Sequence, residues 1–561
     1  MSERHWDETA DFVIVGSGGG SMVAALYLKS IGKRPLILEK TDKIGGSTAM
    51  SGGVLWIPNH PLQKRFGVED SEDAGRRYLY GVVGDDAGPG STPARKEAFL
   101  RSGPPMIDFL ESQGMKFIRT EGWSDYYDDR DGGCPRSRSL AAPMLDPAEM
   151  GPLYDKLRKG PMAIPLPADQ TRSITLATRT PRGMWEGVKL LMRLKRAAKR
   201  GIPPHLSYGG ALQGRMLMLS DAKGVPIRTG VAITDLVEEN GRVAGIVAQE
   251  GGRTVTIRAL DGVLINAGGF SHNRKMRETF GPKPASTRWT NANPGDTGEM
   301  IEIAVQHGAA IDLMDQAWWV PGTLPPSGQV FMHVTDLSKP HVIVVDRHAR
   351  RIMNESQSYM ANGHALYQAG VPAWVIMDSR HRKRYGWGLQ PPGQTPPDWE
   401  SSGYMKVADS IEGLAAKIGL APAALKEEIE RFNGFARTGK DLDFHRGERA
   451  YDNWFGDPTV KPNPNLGAIE KPPFLAFSMV PGDVGTAGGV VTDEHARVLR
   501  EDGSAIPGLY ATGNSTASVM GRVYPGAGAS IAASFVFAWL AAHHAADHAD
   551  NAQRKAEAAA G

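Results

Sequence analysis

Residues 11–25 read DFVIVGSGGGSMVAA, an apolar run that ends in a glycine cluster and continues into small residues that favour a helix. The pattern predicts a β-strand, a tight turn and the start of an α-helix. Gly16, Gly18, Gly19 and Gly20 would let the backbone approach a pyrophosphate, whose charge the free N–H groups at the helix start would bind. Ser21 stands where a third glycine or an alanine is usual, and it is small enough for close helix packing. The stretch therefore predicts a dinucleotide-binding fold.

The segments that follow support this interpretation over a glycine-rich turn without a nucleotide. PLILEK, residues 35–40, predicts a second strand that ends at Glu39, 23 residues after Gly16. An acidic residue about 20 positions after the glycines can bind a ribose hydroxyl. KIGGSTAMSGGVLW, residues 43–56, then alternates glycines with hydroxyl residues and offers amides and hydroxyls to a bulky polar ligand.

Composition excludes several classes of protein. A chain of 561 residues predicts two or more domains. The 64 basic and 62 acidic residues give a net charge of +2, which predicts no nucleic-acid partner. The single cysteine, Cys134, cannot form an internal disulfide, and no histidine or cysteine spacing suggests a metal site. The polar first residues leave no room for a signal peptide, and no uninterrupted apolar run predicts a transmembrane segment. We expect a cytoplasmic protein, soluble or peripherally membrane-associated.

Taken together, these segments resemble the flavoprotein superfamily of fumarate reductases, succinate dehydrogenases and 3-ketosteroid dehydrogenases. Residues 231–248 resemble the β-hairpin that contacts adenine, residues 263–273 the return strand of the flavin domain, and residues 508–518 the C-terminal motif beneath the isoalloxazine. The resemblance implies an α/β protein whose Rossmann-type FAD-binding domain, a parallel sheet plus a β-hairpin, carries a smaller α+β catalytic cap domain. It implies non-covalent FAD, because Met50 and Ser51 stand where a histidine for covalent attachment would be expected.

The resemblance also assigns the FAD contacts and the domain bounds. The predicted cofactor-binding residues are Gly16, Ser17, Gly18, Gly19, Gly20, Glu39, Lys40, Gly46, Ser47, Thr48, Ser51, Gly52, Gly53, Ala232, Ala267, Gly268, Asp296, Gly513, Asn514, Ser530 and Ile531. We predict that residues 1–285 form the first part of the FAD-binding domain, with a helical insertion at about 60–210. Residues 286–468 would form the cap, and residues 469–561 the C-terminal return and tail. Five apolar residues are candidate walls of a substrate pocket: Met314, Trp318, Trp319, Phe331 and Met332.

The segment MGRVYPGAGAS, residues 520–530, indicates the chemistry. A tyrosine and a Pro-Gly turn precede a predicted long helix, so a carbonyl oxygen there could accept from both the Tyr524 hydroxyl and the Gly528 N–H. Such a pair of donors would stabilise an enolate. The segment resembles the Tyr-Pro-Gly-x-Gly motif of 3-ketosteroid Δ1-dehydrogenases, whose tyrosine and last glycine hold the C3 carbonyl of a steroid.

The same family carries an Asn-Glu-x-x-x-Tyr motif that matches Asn354, Glu355 and Tyr359, which makes Tyr359 the predicted base. Because an unperturbed phenol has a pKa of about 10, the base needs a helper, and WSDYYD supplies Tyr126, with Tyr127 as the competing assignment. The implied reaction removes the C2 proton and transfers the C1 hydride to the flavin N5, which gives a C1=C2 double bond in a 3-ketosteroid. The electron acceptor that reoxidises the flavin is unknown from sequence.

Three alternatives stay open at this point. A 3-ketosteroid Δ4-(5α)-dehydrogenase would act on neighbouring ring carbons. A fumarate reductase-like enzyme would need arginine and histidine to bind two carboxylates, and Arg522 is the cation nearest to Tyr524 in this segment. A flavin-binding redox module without turnover would leave the arrangement of Tyr524 and Gly528 unused.

One predicted helix in the insertion is basic and amphipathic. In WEGVKLLMRLKRAAKRG, residues 185–201, Trp185, Val188, Leu191 and Leu194 follow helical spacing, and most of the lysines and arginines fall on other faces. Such a helix either rests on anionic lipid or forms an ordinary solvated surface.

Overall fold

The computed structural model describes residues 5–160 and 164–560, with side chains to residue 548. Its strands are Glu8–Val15 (β1), Pro35–Glu39 (β2), Val54–Trp56 (β3), Ile118–Arg119 (β4), Ser139–Ala141 (β5), Ile227–Thr229 (β6), Val231–Glu239 (β7), Arg242–Glu250 (β8), Arg253–Ile265 (β9), Ile311–Asp312 (β10), Ala317–Thr323 (β11), Phe331–Met332 (β12), Val342–Val345 (β13), Ala373–Asp378 (β14), Met405–Ala408 (β15), Phe474–Thr486 (β16), Gly489–Val490 (β17), Arg497–Leu499 (β18) and Ala505–Ala511 (β19).

The helices between them are mostly short. They are Gly19–Ser30 (α1), Gly46–Met50 (α2), Pro61–Arg65 (α3), Glu72–Val83 (α4), Pro93–Ser112 (α5), Pro147–Met150 (α6), Leu153–Lys156 (α7), Thr171–Ile174 (α8), Pro181–Arg200 (α9), Tyr208–Ala222 (α10), Arg274–Phe280 (α11), Glu299–Gln306 (α12), Tyr359–Ala369 (α13), Ser379–Arg384 (α14), Asp398–Ser401 (α15), Ile411–Ile418 (α16), Pro422–Thr438 (α17), Ala450–Trp454 (α18) and Ala529–Ala560 (α19). Two 3₁₀ turns occupy Ala168–Gln170 and Gly513–Ser515.

The main sheet contains the predicted strand–turn–helix unit. Strands β19, β9, β1, β2 and β6 pair in parallel in that order, and β18 pairs antiparallel with β19 at one edge. Strand β1 is buried on both faces from Phe12 to Val15, as parallel strands covered by helices usually are. The predicted hairpin is confirmed: β7 and β8 pair antiparallel, and Asn240 and Gly241 turn with φ of 52° and 73°. Two positive φ values match a two-residue hairpin turn. The sheet is therefore the predicted dinucleotide-binding architecture.

A second, antiparallel sheet forms the cap, with strand order β12, β11, β16, β14, β13, and β15 also paired with β16. The predicted cap ended at residue 468, but the central strand β16 lies beyond it. At the other boundary, α12 packs its buried residues into the core of the main sheet. We therefore propose that the cap spans residues 317–486. The sequence of an apolar, buried strand such as β16 does not indicate which of the two sheets the strand joins.

The insertion between β3 and β6 covers the cavity between the two sheets. It contains helices α3 to α10 and, with β3, a small sheet in the order β3, β5, β4. The predicted amphipathic helix is confirmed as α9. The Thr180 side chain accepts from the Gly183 N–H at its N-terminus, and Gly201 closes its C-terminus in the left-handed conformation.

The long helix α19 begins directly after Gly528 and packs along α1. The contact is close: a Cβ on Gly19 would lie 2.1 Å from the Phe535 ring. Within the described residues, one segment, Ala529–His548, is long and apolar enough by length and composition to cross a membrane. More than half of this segment is buried against the rest of the protein. Its apolar residues therefore belong to the core of the main domain.

Candidate active site

A cavity of about 1310 Å³ runs between the main sheet, the insertion and the cap. One end lies at the carboxyl ends of β1 and β2, where ligands bind in open α/β sheets. All predicted cofactor-binding residues line this cavity except Gly19 and Gly20, which lie in the first turn of α1 and pack against α19. Because Gly19 and Gly20 are small, α1 and α19 can pack closely. The cavity also contains the predicted tyrosines, so one space would hold both the cofactor and the substrate.

The backbone of the glycine turn leaves no room for side chains, and a dinucleotide can therefore approach this backbone closely. Gly16 has φ of +95°, and a Cβ there would lie 2.2 Å from the Asn266 carbonyl oxygen. Gly18 is the N-cap of α1 and has no side chain to cover the helix start, where the Gly19 N–H donates to the Thr48 hydroxyl at 3.3 Å and an anion could approach. Glu39 is buried at the end of β2 and is held in place by Ser17, whose hydroxyl donates to its carboxylate at 2.6 Å. A tight glycine turn beside a buried carboxylate suits a dinucleotide.

Asp296 is a second carboxylate at the cavity wall. It is almost fully buried, and burial raises its pKa to about 7. The Ser47 hydroxyl donates to it at 3.0 Å. Gly268 has φ of +81°, and a Cβ there would lie 2.3 Å from the Asp296 carboxylate. The glycine therefore allows the carboxylate to approach the end of β9, where the chain faces the cavity.

Three tyrosines from distant segments meet at the other end of the cavity. The ring centroid of Tyr359 lies 5.4 Å from Tyr126 and 5.4 Å from Tyr524, and Tyr126 lies 5.8 Å from Tyr524. Tyr126 comes from the loop between β4 and β5, Tyr359 begins α13, and Tyr524 precedes α19. The structure thus brings together the three predicted catalytic side chains.

Gly528 lies four residues after Tyr524 at the start of α19. Its φ is +95°, and a Cβ there would lie 2.1 Å from the Val54 carbonyl oxygen, so only glycine fits. Among the described residues, none accepts a hydrogen bond from the Gly528 N–H. The Tyr524 hydroxyl lies 3.1 Å from the Ser530 hydroxyl. A free N–H at a helix start beside a phenol can bind a carbonyl oxygen that gains negative charge.

A fourth tyrosine, Tyr451, belongs to this group and was missed from sequence. Its buried ring lies 4.2 Å from Tyr126. It is held by α18, whose first N–H groups, at Ala450 and Tyr451, each donate to the Asp128 carboxylate at 3.0 Å. The segment RAYDNW around it matches no motif. The only available signal was Asp128, the last residue of WSDYYD, since an acidic residue can cap a helix from another segment.

Burial determines the protonation of these phenols. Desolvation raises the pKa of Tyr359 well above its usual value of 10, and the nearby Tyr524 adds to this effect. A hydrogen bond from Tyr126 acts in the opposite direction and lowers it. Desolvation also raises the pKa of Tyr126 well above 10. At neutral pH both are therefore phenols, and Tyr126 is the neighbour that favours the Tyr359 anion.

Buried polar contacts fix the loop that carries Tyr126. The Tyr126 N–H donates to the Pro525 carbonyl at 3.0 Å, which joins this loop to the segment of Tyr524. The preceding Asp125 carboxylate accepts from Trp56 at 2.7 Å and from Arg138 at 2.6 Å. Burial raises the pKa of Asp125 to about 6, and the charge of Arg138 opposes this. Gly526 must remain glycine because a Cβ there would lie 2.3 Å from the Trp56 ring.

The competing candidate, Tyr127, does not line the cavity. Its ring is 5.6 Å from the Arg449 guanidinium. Asn354 and Glu355 do not line the cavity: Asn354 donates to Asp452 at 3.0 Å, and Glu355 pairs with buried arginines. These two residues therefore hold the segment that leads to Tyr359.

Three of the five predicted pocket walls, Trp318, Phe331 and Met332, line the cavity, whereas Met314 and Trp319 do not. Met314 packs in the core of the main domain. Trp318 and Trp319 are neighbours on β11, and successive strand residues point to opposite faces. Trp318 accordingly lies 5.2 Å from the Tyr524 ring, and Trp319 packs against Tyr367.

Among the described residues, no arginine or histidine of the kind that a dicarboxylate enzyme would need lines the cavity. Arg522 is exposed and pairs with Asp315 at 2.6 Å. It does not line the cavity. Within the described chain, no group of three or more histidine, cysteine, aspartate or glutamate side chains could hold a metal ion.

Comparison with known proteins gives results that agree with this geometry. The FAD binding domain family matches residues 11–531. The 3-oxosteroid 1-dehydrogenase of Mycobacterium tuberculosis H37Rv is 40% identical, with 96% of this chain and 98% of the relative covered. The crystal structure of a 3-ketosteroid delta1-dehydrogenase from Sterolibacterium denitrificans, in complex with 1,4-androstadiene-3,17-dione, matches with a TM-score of 0.90 and 34% identity, and covers 96% of this chain and 100% of that one. A 3-ketosteroid-delta4-(5alpha)-dehydrogenase from Rhodococcus jostii RHA1 matches with a TM-score of 0.65 at 21% identity, covering 97% and 98%, and shows the fold alone.

Proposed function

We propose a function for this chain from the family to which it belongs, the FAD-binding flavoproteins that include the 3-oxosteroid 1-dehydrogenases. The chain is an FAD-dependent oxidoreductase that acts on CH–CH groups. It introduces a C1=C2 double bond into the A ring of a 3-ketosteroid. The observation that carries this function is the meeting of Tyr126, Tyr359 and Tyr524 with the Gly528 N–H at one end of the cavity.

In the proposed mechanism, the steroid C3 carbonyl accepts hydrogen bonds from the Tyr524 hydroxyl and the Gly528 N–H. These donors stabilise the negative charge that develops on the oxygen and so make the C2 hydrogen more acidic. Tyr359 takes the C2 proton as its anion, and Tyr126 stabilises that anion by donating a hydrogen bond. Tyr451 supports Tyr126 through their ring contact.

The cofactor is FAD, and we propose that it is bound without a covalent link. The glycine turn at Gly16 and Gly18 would hold its pyrophosphate, and Glu39 and the lining from Gly46 to Gly53 would bind its other polar groups. When bound, FAD supplies the acceptor for the hydride that leaves C1. The residues of this chain do the proton chemistry.

The alternatives from sequence are less well supported. The 3-ketosteroid Δ4-(5α)-dehydrogenase resembles this chain only in fold. A dicarboxylate reductase would need arginine and histidine in the cavity, whereas none lines it among the described residues and Arg522 is paired with Asp315 at the surface. A flavin-binding module without turnover would not require a free Gly528 N–H beside Tyr524.

The setting of the enzyme follows from the same arguments. We propose a cytoplasmic enzyme that takes a 3-ketosteroid as substrate and passes the electrons to an acceptor not identified by sequence or structure. Peripheral contact with a membrane would be made by α9. A net charge near zero favours no nucleic-acid partner.

The test is anaerobic bleaching of the flavin absorbance. A 3-ketosteroid such as androstenedione is the titrant, and succinate is the comparison. We expect rapid bleaching by the steroid and not by succinate, with loss of the rapid phase in Tyr359→Phe. Product analysis then assigns the ring position. Bleaching by succinate, or by neither compound, would refute the proposed function.

A further inference from the structure

The helix α9 presents its apolar residues to solvent and its small and acidic residues to the protein. Gly183, Glu186 and Ala197 are buried, whereas Trp185 is 58% exposed and Leu191 is 59% exposed. A surface helix of a soluble protein normally has the opposite orientation. The exposed apolar residues of α9 are Met184, Trp185, Val188, Leu191, Met192 and Leu194. An apolar surface of this extent marks a binding site.

Charge identifies the partner of this surface. Helix α9 contains seven lysines and arginines and a single carboxylate, that of Glu186, which pairs with Lys189 at 2.6 Å. Helical spacing places Lys195 and Lys199 near the apolar face towards its C-terminal end, and most of the other cations along one side of it. A helix with an apolar face and flanking cations fits the interface of a bilayer with anionic headgroups. A protein partner would not need so many positive charges around the apolar face.

The same face forms the opening of the cavity. Met184, Val188 and Leu191 are exposed and also line the cavity. Exposed apolar residues from other segments also line the cavity, among them Ile164 from the insertion and Leu389 from the loop after α14. The cavity therefore reaches the surface among apolar side chains that belong to the helix with the membrane-binding pattern.

We propose that α9 docks on an anionic membrane surface and that the steroid enters the cavity directly from the bilayer, between α9 and the loop at Leu389. This inference rests on the proposed function, because it takes a lipophilic steroid as the substrate. Docking places the opening in the apolar layer where such a steroid dissolves, so the substrate reaches the tyrosines without crossing water. The basic residues bind the headgroups around the opening.

Sedimentation with vesicles tests the docking. The holoenzyme is mixed with vesicles of phosphatidylcholine alone or with one third phosphatidylglycerol. Trp185→Ser/Met192→Ser removes exposed apolar side chains that do not line the cavity, and Leu442→Ser/Leu260→Ser removes equally exposed ones elsewhere. We expect binding to the anionic vesicles only, weakened at least about tenfold in the α9 variant and unchanged in the control.

Steroid oxidation tests the route of entry. Activity is measured with steroid delivered in cyclodextrin and with steroid dissolved in anionic vesicles. The α9 variant should equal the wild type with cyclodextrin and fall at least about tenfold with vesicles. Full activity with cyclodextrin but no vesicle binding would overturn the inference and leave the proposed function intact. No oxidation from either source would refute the proposed function, and sedimentation would still decide the docking. A wild-type dimer that the α9 variant converts to a monomer, without vesicle binding, would show that a second copy covers this face and would also overturn the inference.

Discussion

Tyr126→Phe should move the pH profile of the reaction to higher pH rather than abolish the activity. The substitution keeps the buried ring but removes the hydroxyl whose hydrogen bond lowers the pKa of Tyr359. A hydrogen bond to a charged group contributes about 1.5–3 kcal/mol. One pKa unit corresponds to about 1.4 kcal/mol, so the pKa of Tyr359 should rise by about 1–2 units.

The sign of the effect follows from the form of Tyr359 that reacts. Its anion is the base, so activity rises with pH up to the pKa of Tyr359 and falls about tenfold for each unit below it. At pH 8 the variant should therefore lose about 10–100-fold in kcat/KM. Because burial holds the pKa of Tyr359 well above 10, both enzymes stay below it from pH 7 to 10, and the loss should be nearly the same across this range.

The assay is kcat/KM for a 3-ketosteroid from pH 7 to 10 with an artificial electron acceptor at saturation. Tyr127→Phe is the matched control, because this neighbouring ring lies beside Arg449 and does not line the cavity. We expect the rising part of the kcat/KM profile to move to higher pH in Tyr126→Phe. In Tyr127→Phe, the profile should match that of the wild type. A Tyr126→Phe profile that coincides with the wild-type profile would refute the argument that Tyr126 acts on the ionisation of Tyr359. A shift in Tyr127→Phe instead would reverse the assignment of the helper.

Three further substitutions test other parts of the structure. Gly528→Ala should lower kcat/KM at least about 100-fold and keep the flavin absorbance, because neither the φ of Gly528 nor the space around it suits a side chain. Full activity would contradict the proposal that the Gly528 N–H binds the carbonyl. Gly16→Ala should yield protein with little bound FAD, measured as the ratio of flavin to protein absorbance, whereas Gly81→Ala, on an open surface of α4, should keep the wild-type ratio. Arg138→Met leaves the buried Asp125 carboxylate without its cation and should lower the free energy of unfolding by about 3–5 kcal/mol; an unchanged thermal midpoint would show that the ion pair is not needed.

The parts of the fold that follow local rules could be predicted from sequence. The glycine turn at Gly16, the strand ending at Glu39 and the hairpin turn at Gly241 each depend on residues within one short segment. The positions of Tyr359 and Tyr524 could be assigned because each lies in a recognisable motif. In these cases, the residues that determine the geometry are neighbours in the chain.

Other features depend on residues that are far apart and could not be predicted. Tyr451 contacts Tyr126 because Asp128, more than 300 residues earlier, caps its helix. The pairing of β16 with the cap moved the proposed boundary, since its apolar sequence suits either sheet. The amphipathic pattern of α9 indicated two faces, but only packing shows that the apolar face points outward.

The contact of Asp128 with α18 has a consequence for engineering this protein. The loop of the insertion and the cap are joined by a carboxylate that accepts from two backbone N–H groups. A chimera that exchanges residues 317–486 for those of another enzyme would thus inherit a foreign α18 facing the native loop. Grafts aimed at altered specificity should carry residues 122–134 together with the cap. The carboxylate in this loop and the N–H groups of α18 then come from the same parent enzyme.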